Sequence, residues 1–74
     1  MVKPGEVYRH YKGGMYTVVD VAKHTETGEL LVVYCWLSQY LQTAVSLEIF
    51  EEYITLPVGN NDAYEIVKRF ERVK

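Results

Sequence analysis

The sequence lacks most of the features that staple, anchor or charge a small protein. It has one cysteine, Cys35, and two well-separated histidines, His10 and His24. A single cysteine excludes an internal disulfide, and these three residues do not make a structural zinc centre. No apolar run approaches the roughly 20 residues that span a bilayer as a helix. The opening residues MVKPGEVYRHY lack the apolar centre of a signal peptide. A free cysteine suits a reducing compartment, so a cytoplasmic location is expected. There is no basic surplus either. The formal net charge is −2, whereas a free-standing nucleic-acid binder usually carries a basic excess or stripe. Repeats and low-complexity segments are absent, which leaves one small domain over residues 1–74.

What the chain does have is apolar and aromatic content. Hydrophobic residues make up 49 % of it, with seven tyrosines, two phenylalanines and one tryptophan, which argues against disorder. A chain this short buries only roughly 60 % of its unfolded surface. Domains near this size often need a disulfide, a metal or a partner subunit. With the first two excluded, a homo-oligomer is expected.

The stretch Gly5–Tyr34 carries the fold signal. Glu6 to Lys12 alternates in the two-residue period of a strand, with Tyr8, His10 and Lys12 on one side. Gly13-Gly14 predicts a two-residue hairpin in which both glycines take positive φ; His10 would then pair near Thr17. Met15 to His24 is a second strand, stiffened by Val18, Val19 and Val21. Tyr16, Val18, Asp20, Ala22 and His24 share one of its faces, and the mixed pattern suggests a bulge. Thr25 to Glu29 is a turn. Leu30 to Leu37, LLVVYCWL, is apolar on both faces, as in a covered or central strand. Gln42 to Val45 is a short fourth strand. Ser46 is a helix N-cap, and Leu47 to Glu52 one or two helical turns that plug the sheet. Leu56 to Gly59 reads as a break and Asn60 to Asp62 as a turn or cap. Ala63 to Lys74 fits either helix or strand. The expected fold is all-β or mainly β, a small bent sheet or SH3-like barrel of about four to six strands with a short helical plug.

The combination Tyr8-Arg9-His10-Tyr11-Lys12-Gly13, Ala22-Lys23-His24-Thr25-Glu26-Thr27 and Val32-Val33-Tyr34 resembles the small bacterial and phage proteins of domain of unknown function 1653. Leu47-Glu48-Ile49-Phe50 is similar to that family's Leu-x-Met-Phe element, and Arg69-Phe70 to its Pro-Arg-Phe strand, with Lys68 at the proline. The family's Trp-Val-Arg-Pro falls on Thr43, Ala44, Val45 and Ser46, so its tryptophan, arginine and proline are missing here. The resemblance implies a strongly bent SH3-like sheet and no particular activity.

Four groups of residues could carry function. Tyr8, Arg9, His10, Tyr11 and Lys12, joined by His24 and Arg69, could form an anion or nucleotide site: charge-assisted donors for phosphate and a flat ring for a base. The same residues equally suit half-buried sheet tyrosines and solvated charges. His24, Thr25 and Glu26 could serve acid–base chemistry, but turns select such residues without catalysis. Cys35, between Tyr34 and Trp36 in the most apolar strand, reads as an inert core residue. Tyr34, Trp36 and Tyr40 could form an interface; strand alternation puts Tyr34 and Trp36 opposite Leu31, Val33, Cys35 and Leu37. If the latter face is the core, the aromatic face is either an oligomer interface or is buried by barrel closure. No spacing forms a nucleophile–base pair or a metal set. The expectation is a non-enzymatic, cofactor-free module that captures a small anionic, nucleotide-like ligand as an oligomer. The alternatives are a protein-interaction module with an aromatic groove around Trp36 and, less favoured by the charge, a nucleic-acid binder using Arg9, Lys12 and Lys23.

Overall fold

The computed structural model describes residues 1–37, 41–59 and 63–74. Among these are seven strands and one short helix: β1 (Val7–His10), β2 (Met15–Lys23), β3 (Leu30–Trp36), β4 (Gln42–Ser46), α1 (Leu47–Phe50), β5 (Tyr53–Val58), β6 (Ala63–Lys68) and β7 (Phe70–Arg72). Five strands form an antiparallel sheet in the order β4-β3-β2-β1-β7. That sheet is open, and β5 and β6 form a separate two-stranded ribbon. The fold is therefore the expected small, mainly β type, with the sheet bent around a helical plug rather than closed into a barrel.

The first hairpin departs from the two-glycine expectation. His10 pairs with Gly14 through its N–H to the Gly14 carbonyl at 2.7 Å, and the Gly13 N–H returns to the His10 carbonyl at 2.7 Å. Tyr11, Lys12 and Gly13 thus form a three-residue loop, and only Gly13 takes positive φ, at 104°. A turn followed by a left-handed residue is the usual form of such a loop. Gly14 is needed for a different reason: a Cβ there would stand 3.0 Å from the Tyr16 ring and 3.2 Å from the Trp36 indole nitrogen. The pairing consequently slides, so Val7 rather than His10 faces Thr17.

A bulge between Val18 and Asp20 corrects the expected face of β2. Val18 lies opposite Tyr34, but Asp20 lies opposite Val33 and Val21 opposite Val32. The extra residue, Val19, turns Val21 inward and Asp20 and Ala22 outward, since opposed residues share a face. The core face of β3 is then the row Val32, Tyr34 and Trp36. Leu31, Val33 and Cys35 point to the other side. The aromatic row, not the aliphatic one, is the inner face.

Phe50 and Phe70 cover that row. Ser46 Oγ accepts the Ile49 N–H at 3.1 Å and starts the single helical turn as expected. The turn drops Phe50 into the concave face, where it is 1 % exposed. Its ring stacks on Phe70 at 4.2 Å and meets Tyr8 edge-on at 4.9 Å. Val2, Tyr8, Val18 and Val32 complete the buried core, with Tyr16, Tyr34, Val45 and Leu47 packed against it.

The C-terminal third settles as strands. Of the expected break at Leu56–Gly59, Leu56, Pro57 and Val58 are instead part of β5, with Pro57 opposite Tyr64. Proline is tolerated there because of the ribbon's hydrogen-bond phase. The Arg69 N–H bonds the Glu52 carbonyl at 3.0 Å, so 52 and 69 are a bonded pair. Alternation then makes Pro57 and Tyr64 a non-bonded pair whose amide positions point outward. The expected turn at Asn60–Asp62 lies outside the described residues. The chain measures 44 × 30 × 20 Å with a radius of gyration of 13.9 Å. A compact chain of this length would have about 11 Å. The excess belongs to the β5–β6 arm.

Candidate binding site

Two clefts flank the base of the arm. The larger, of about 210 Å³, lies between β1 and the arm. Arg9, His10 and Tyr11 form one wall; Leu56, Val67 and Lys68 form the other, with Glu65 and Glu71 alongside. The smaller, of about 180 Å³, has Val2, Tyr8, Phe50 and Phe70 as its apolar floor and Glu51, Tyr53 and Lys68 on its rim. Lys68 borders both clefts because it ends β6 where the arm joins the body, and its ammonium lies on the Tyr53 side.

His10 is the best-positioned group of the first cleft. It is half-buried, its ring set 4.5 Å from that of Tyr11 and edge-on to Phe70 at 4.9 Å. Its Nδ1 accepts the Lys12 N–H at 3.1 Å. That bond leaves Nε2 as the proton-bearing donor of the neutral ring. Burial, helped by the Arg69 and Lys12 charges, holds its pKa below the usual 6.5. Tyr11 also carries the Lys12 ammonium 5.7 Å from its ring centre. Arg9 is exposed and sits across the strands from Glu71.

Other expected site residues are employed elsewhere. Tyr8 is a core residue, 9 % exposed, whose hydroxyl donates to Glu6 Oε1 at 2.9 Å. Burial and the Glu6 carboxylate push its pKa up to about 12. Its ring faces Phe50 and is closed to a stacking base. Glu6 in turn accepts the Lys3 N–H at 2.9 Å, which with the Tyr8 hydroxyl and Arg72 holds its carboxyl below the usual range. Arg69 gives both Nε and Nη2 to Glu52 Oε1 and so clamps the arm to the end of α1. His24 lies at the opposite end of β2. Its Nδ1 accepts the Glu26 and Thr27 N–H groups at 3.1 and 3.3 Å, which makes it a turn cap. Lys23 is at that far end too. It lies eight positions along β2 from Met15, the partner of Arg9, a span of roughly 26 Å. The three cations do not form a stripe.

Of the aromatic residues expected at an interface, Tyr34 packs inside the chain against Tyr16 and Phe70 at 5.2 and 5.3 Å. Burial raises its pKa. Trp36 stacks on Tyr16 at 6.1 Å and remains 43 % exposed. Tyr40 lies outside the described residues. Sequence reasoning missed Leu56, Glu65, Val67, Lys68 and Glu71. The alternation in Tyr64-Glu65-Ile66-Val67-Lys68 held the signal, which the competing helical spacing of Tyr64, Val67 and Phe70 obscured. Val45, where the resemblance leads one to expect an arginine, lies opposite Val32 and packs on the core. Among the described residues no group of three or more His, Cys, Asp or Glu side chains is placed to hold a metal.

A five-stranded bent sheet plugged by one helical turn, with a two-stranded arm and a mixed-charge cleft at their junction, defines a class of small β proteins. The family model described as protein of unknown function (DUF1653) matches residues 6–72, and the chain belongs to that family. A crystal structure of a DUF1653 protein from Bordetella bronchiseptica superposes with a TM-score of 0.75 at 33 % identity, covering 97 % of this chain and 87 % of that one. No curated protein matches the sequence. Among the described residues no helix is long and apolar enough to cross a membrane.

Proposed function

We propose that this protein is a non-enzymatic module that captures a small anionic, nucleotide-like ligand in the cleft between β1 and the arm. One observation carries the reading: Arg9, His10 and Tyr11 line one wall of that cleft, closed on its far side by the arm. Arg9 supplies a charge-assisted donor for a phosphate, the His10 Nε2–H a neutral donor, and Tyr11 a ring for a base. The size of the cleft narrows the ligand. Its roughly 210 Å³ falls below the ~300 Å³ at which pockets begin to enclose drug-sized molecules. The phosphate end is held while the rest of the ligand lies along the surface. Glu65 and Glu71 repel a polyanion, so a monophosphate fits better than a triphosphate. Holding without turnover makes the protein a stoichiometric store or sequestering agent, working in the cytoplasm as the free Cys35 suggests.

The test is a thermal-shift series with inorganic phosphate and nucleoside mono- and triphosphates at matched ionic strength. A monophosphate should raise the melting temperature, and Arg9→Ala should weaken its binding about tenfold, the loss of one charge-assisted contact. A series in which no phosphate compound moves the melting temperature removes the proposal.

Trp36 favours a second reading, a protein-interaction module. It is 43 % exposed and held flat on Tyr16, and exposed aromatic anchors are favoured at protein interfaces. Recovery of one defined partner that is lost on Trp36→Ala would support it.

A further inference from the structure

One face of the β5–β6 arm is largely exposed. Leu56, Glu65 and Val67 turn toward β1 across the cleft. The opposite face carries Tyr53, Tyr64 and Ile66, which are 63, 66 and 72 % exposed. A two-stranded ribbon is marginal by itself in water and gains stability from further strands.

The two outer edges of the ribbon are unequal. With 52 and 69 a bonded pair, the backbone groups of Tyr53, Thr55 and Pro57 point out from β5, and those of Tyr64, Ile66 and Lys68 point out from β6. Pro57 has no N–H, which blocks the β5 edge. The β6 edge has no proline. Among the described residues, none of its three outward backbone groups bonds to another part of the chain.

We propose that β6 pairs antiparallel with β6 of a second copy of this chain, about a two-fold axis through Ile66. The product is a continuous four-stranded sheet in the order β5-β6-β6-β5. Self-complementarity selects both the partner and the register. With the axis at Ile66, each Ile66 faces its twin, each Tyr64 faces the other copy's residue 68, and each Glu65 faces the other copy's residue 67. Lys68 already stands 6.0 Å over its own Tyr53 ring. In the dimer its ammonium lies between two tyrosines, a favourable cation–π arrangement, and no like charges are opposed. Moving the axis to Glu65 would set carboxylate against carboxylate. Moving it to Val67 would draw in Arg69, which Glu52 already holds. An unrelated strand could use the same edge but would not supply this Tyr–Lys reciprocity. The dimer does not depend on the cleft's ligand.

Sedimentation of the full chain over a concentration series tests the proposal. The wild type should dimerise. Tyr64→Lys, which opposes two ammonium groups at each end of the pairing, should raise the dimer dissociation constant at least tenfold. Tyr64→Lys combined with Lys68→Tyr rebuilds the reciprocal pair with its members exchanged and should restore the dimer. Ile66→Arg, with like charges at the axis, should dissociate it independently. Near-ultraviolet circular dichroism from the aromatic core should stay unchanged in each variant. A wild type that is monomeric at the highest attainable concentration, even if it takes up a foreign strand, overturns the proposal. So does a dimer indifferent to Tyr64→Lys and Ile66→Arg, or a double variant that fails to re-form it.

Discussion

The sheet body and the β5–β6 arm are both antiparallel β structure, yet they are held by different forces. In the body, side chains from five strands and one helical turn converge on Phe50 and Phe70, which are 1 % and 5 % exposed. Burial of that aromatic face dominates its stability. In the arm, the large apolar side chains stand mostly in water, and the ribbon rests on its own ladder and on the Arg69–Glu52 clamp. The two regions contain similar residue types. What separates them is a third layer: α1 supplies one to the body, and among the described residues nothing covers Tyr64 and Ile66 on the outer face of the arm.

The sharpest test of this contrast pairs Phe50→Ala with Ile66→Ala, followed by urea unfolding at dilute concentration. Phe50 contacts Phe70, Tyr8 and Tyr34, and truncating such a side chain costs about 3–5 kcal/mol. A chain of this length has roughly 4–11 kcal/mol in total, so Phe50→Ala should remove a large share of the body's stability and move the urea midpoint far down. Ile66 is 72 % exposed, and its truncation should move the midpoint by no more than about 0.5 kcal/mol. Equal effects at the two sites would mean that the arm is as firmly packed as the body.

The same contrast explains which parts of the fold were legible in the sequence. The first three strands, the serine cap and the mainly β class were readable because alternation, β-branching and capping act locally. The three-residue loop was not, because the choice between Gly13 and Gly14 depends on Tyr16 and Trp36 folding back over the hairpin. The inner face of β3 was left open because Phe50 and Phe70, which cover it, lie 14 or more residues further along the chain than Trp36. The arm was unreadable as strand because alternation at 64–68 has no buried face to reinforce it, and because Pro57 signals a break unless its edge position is known. At the site, Arg9, His10 and Tyr11 were found by residue type. Their opposite wall depends on the arm, and the arm on tertiary structure. Tyr8, Arg69 and His24 matched the pattern but are committed to Glu6, Glu52 and the β2–β3 turn.

Smaller effects sharpen the contrast. Ser46→Ala removes the cap on α1 and should cost about 1 kcal/mol, felt by the whole body because that turn places Phe50. Glu52→Gln weakens the clamp on the arm. The Arg69 and Glu52 side chains are 28 % and 41 % exposed, and solvent screening limits such a pair to about 1 kcal/mol or less. Its effect should be local: hydrogen exchange should quicken in β5 and β6 while β2 and β3 hold their protection. Uniform acceleration across all strands would show that arm and body unfold as one unit.

The smallest effect belongs to His10, at the junction of the two regions. Its folded pKa lies below 6.5, chiefly through burial, with Arg69 and Lys12 adding to it. Above pH 6.5 the ring is mostly neutral in both folded and unfolded chains, and its full contribution to stability is present. As the pH falls below 6.5, the unfolded chain takes up the proton first. Stability therefore declines until the folded ring also protonates, after which the loss is complete. His10→Gln should flatten this part of the stability–pH curve and leave the carboxylate-driven loss at lower pH in place. The titration of the His10 ring, followed by NMR, separates burial from ligand chemistry. In the free protein its midpoint should fall below 6.5. A monophosphate in the cleft should move it upward, because an anion near Nε2 favours the charged ring. A free-protein midpoint at or above 6.5 would mean that water reaches His10 through an arm standing further from the body. An unmoved midpoint with the phosphate bound would place the anion away from this cleft.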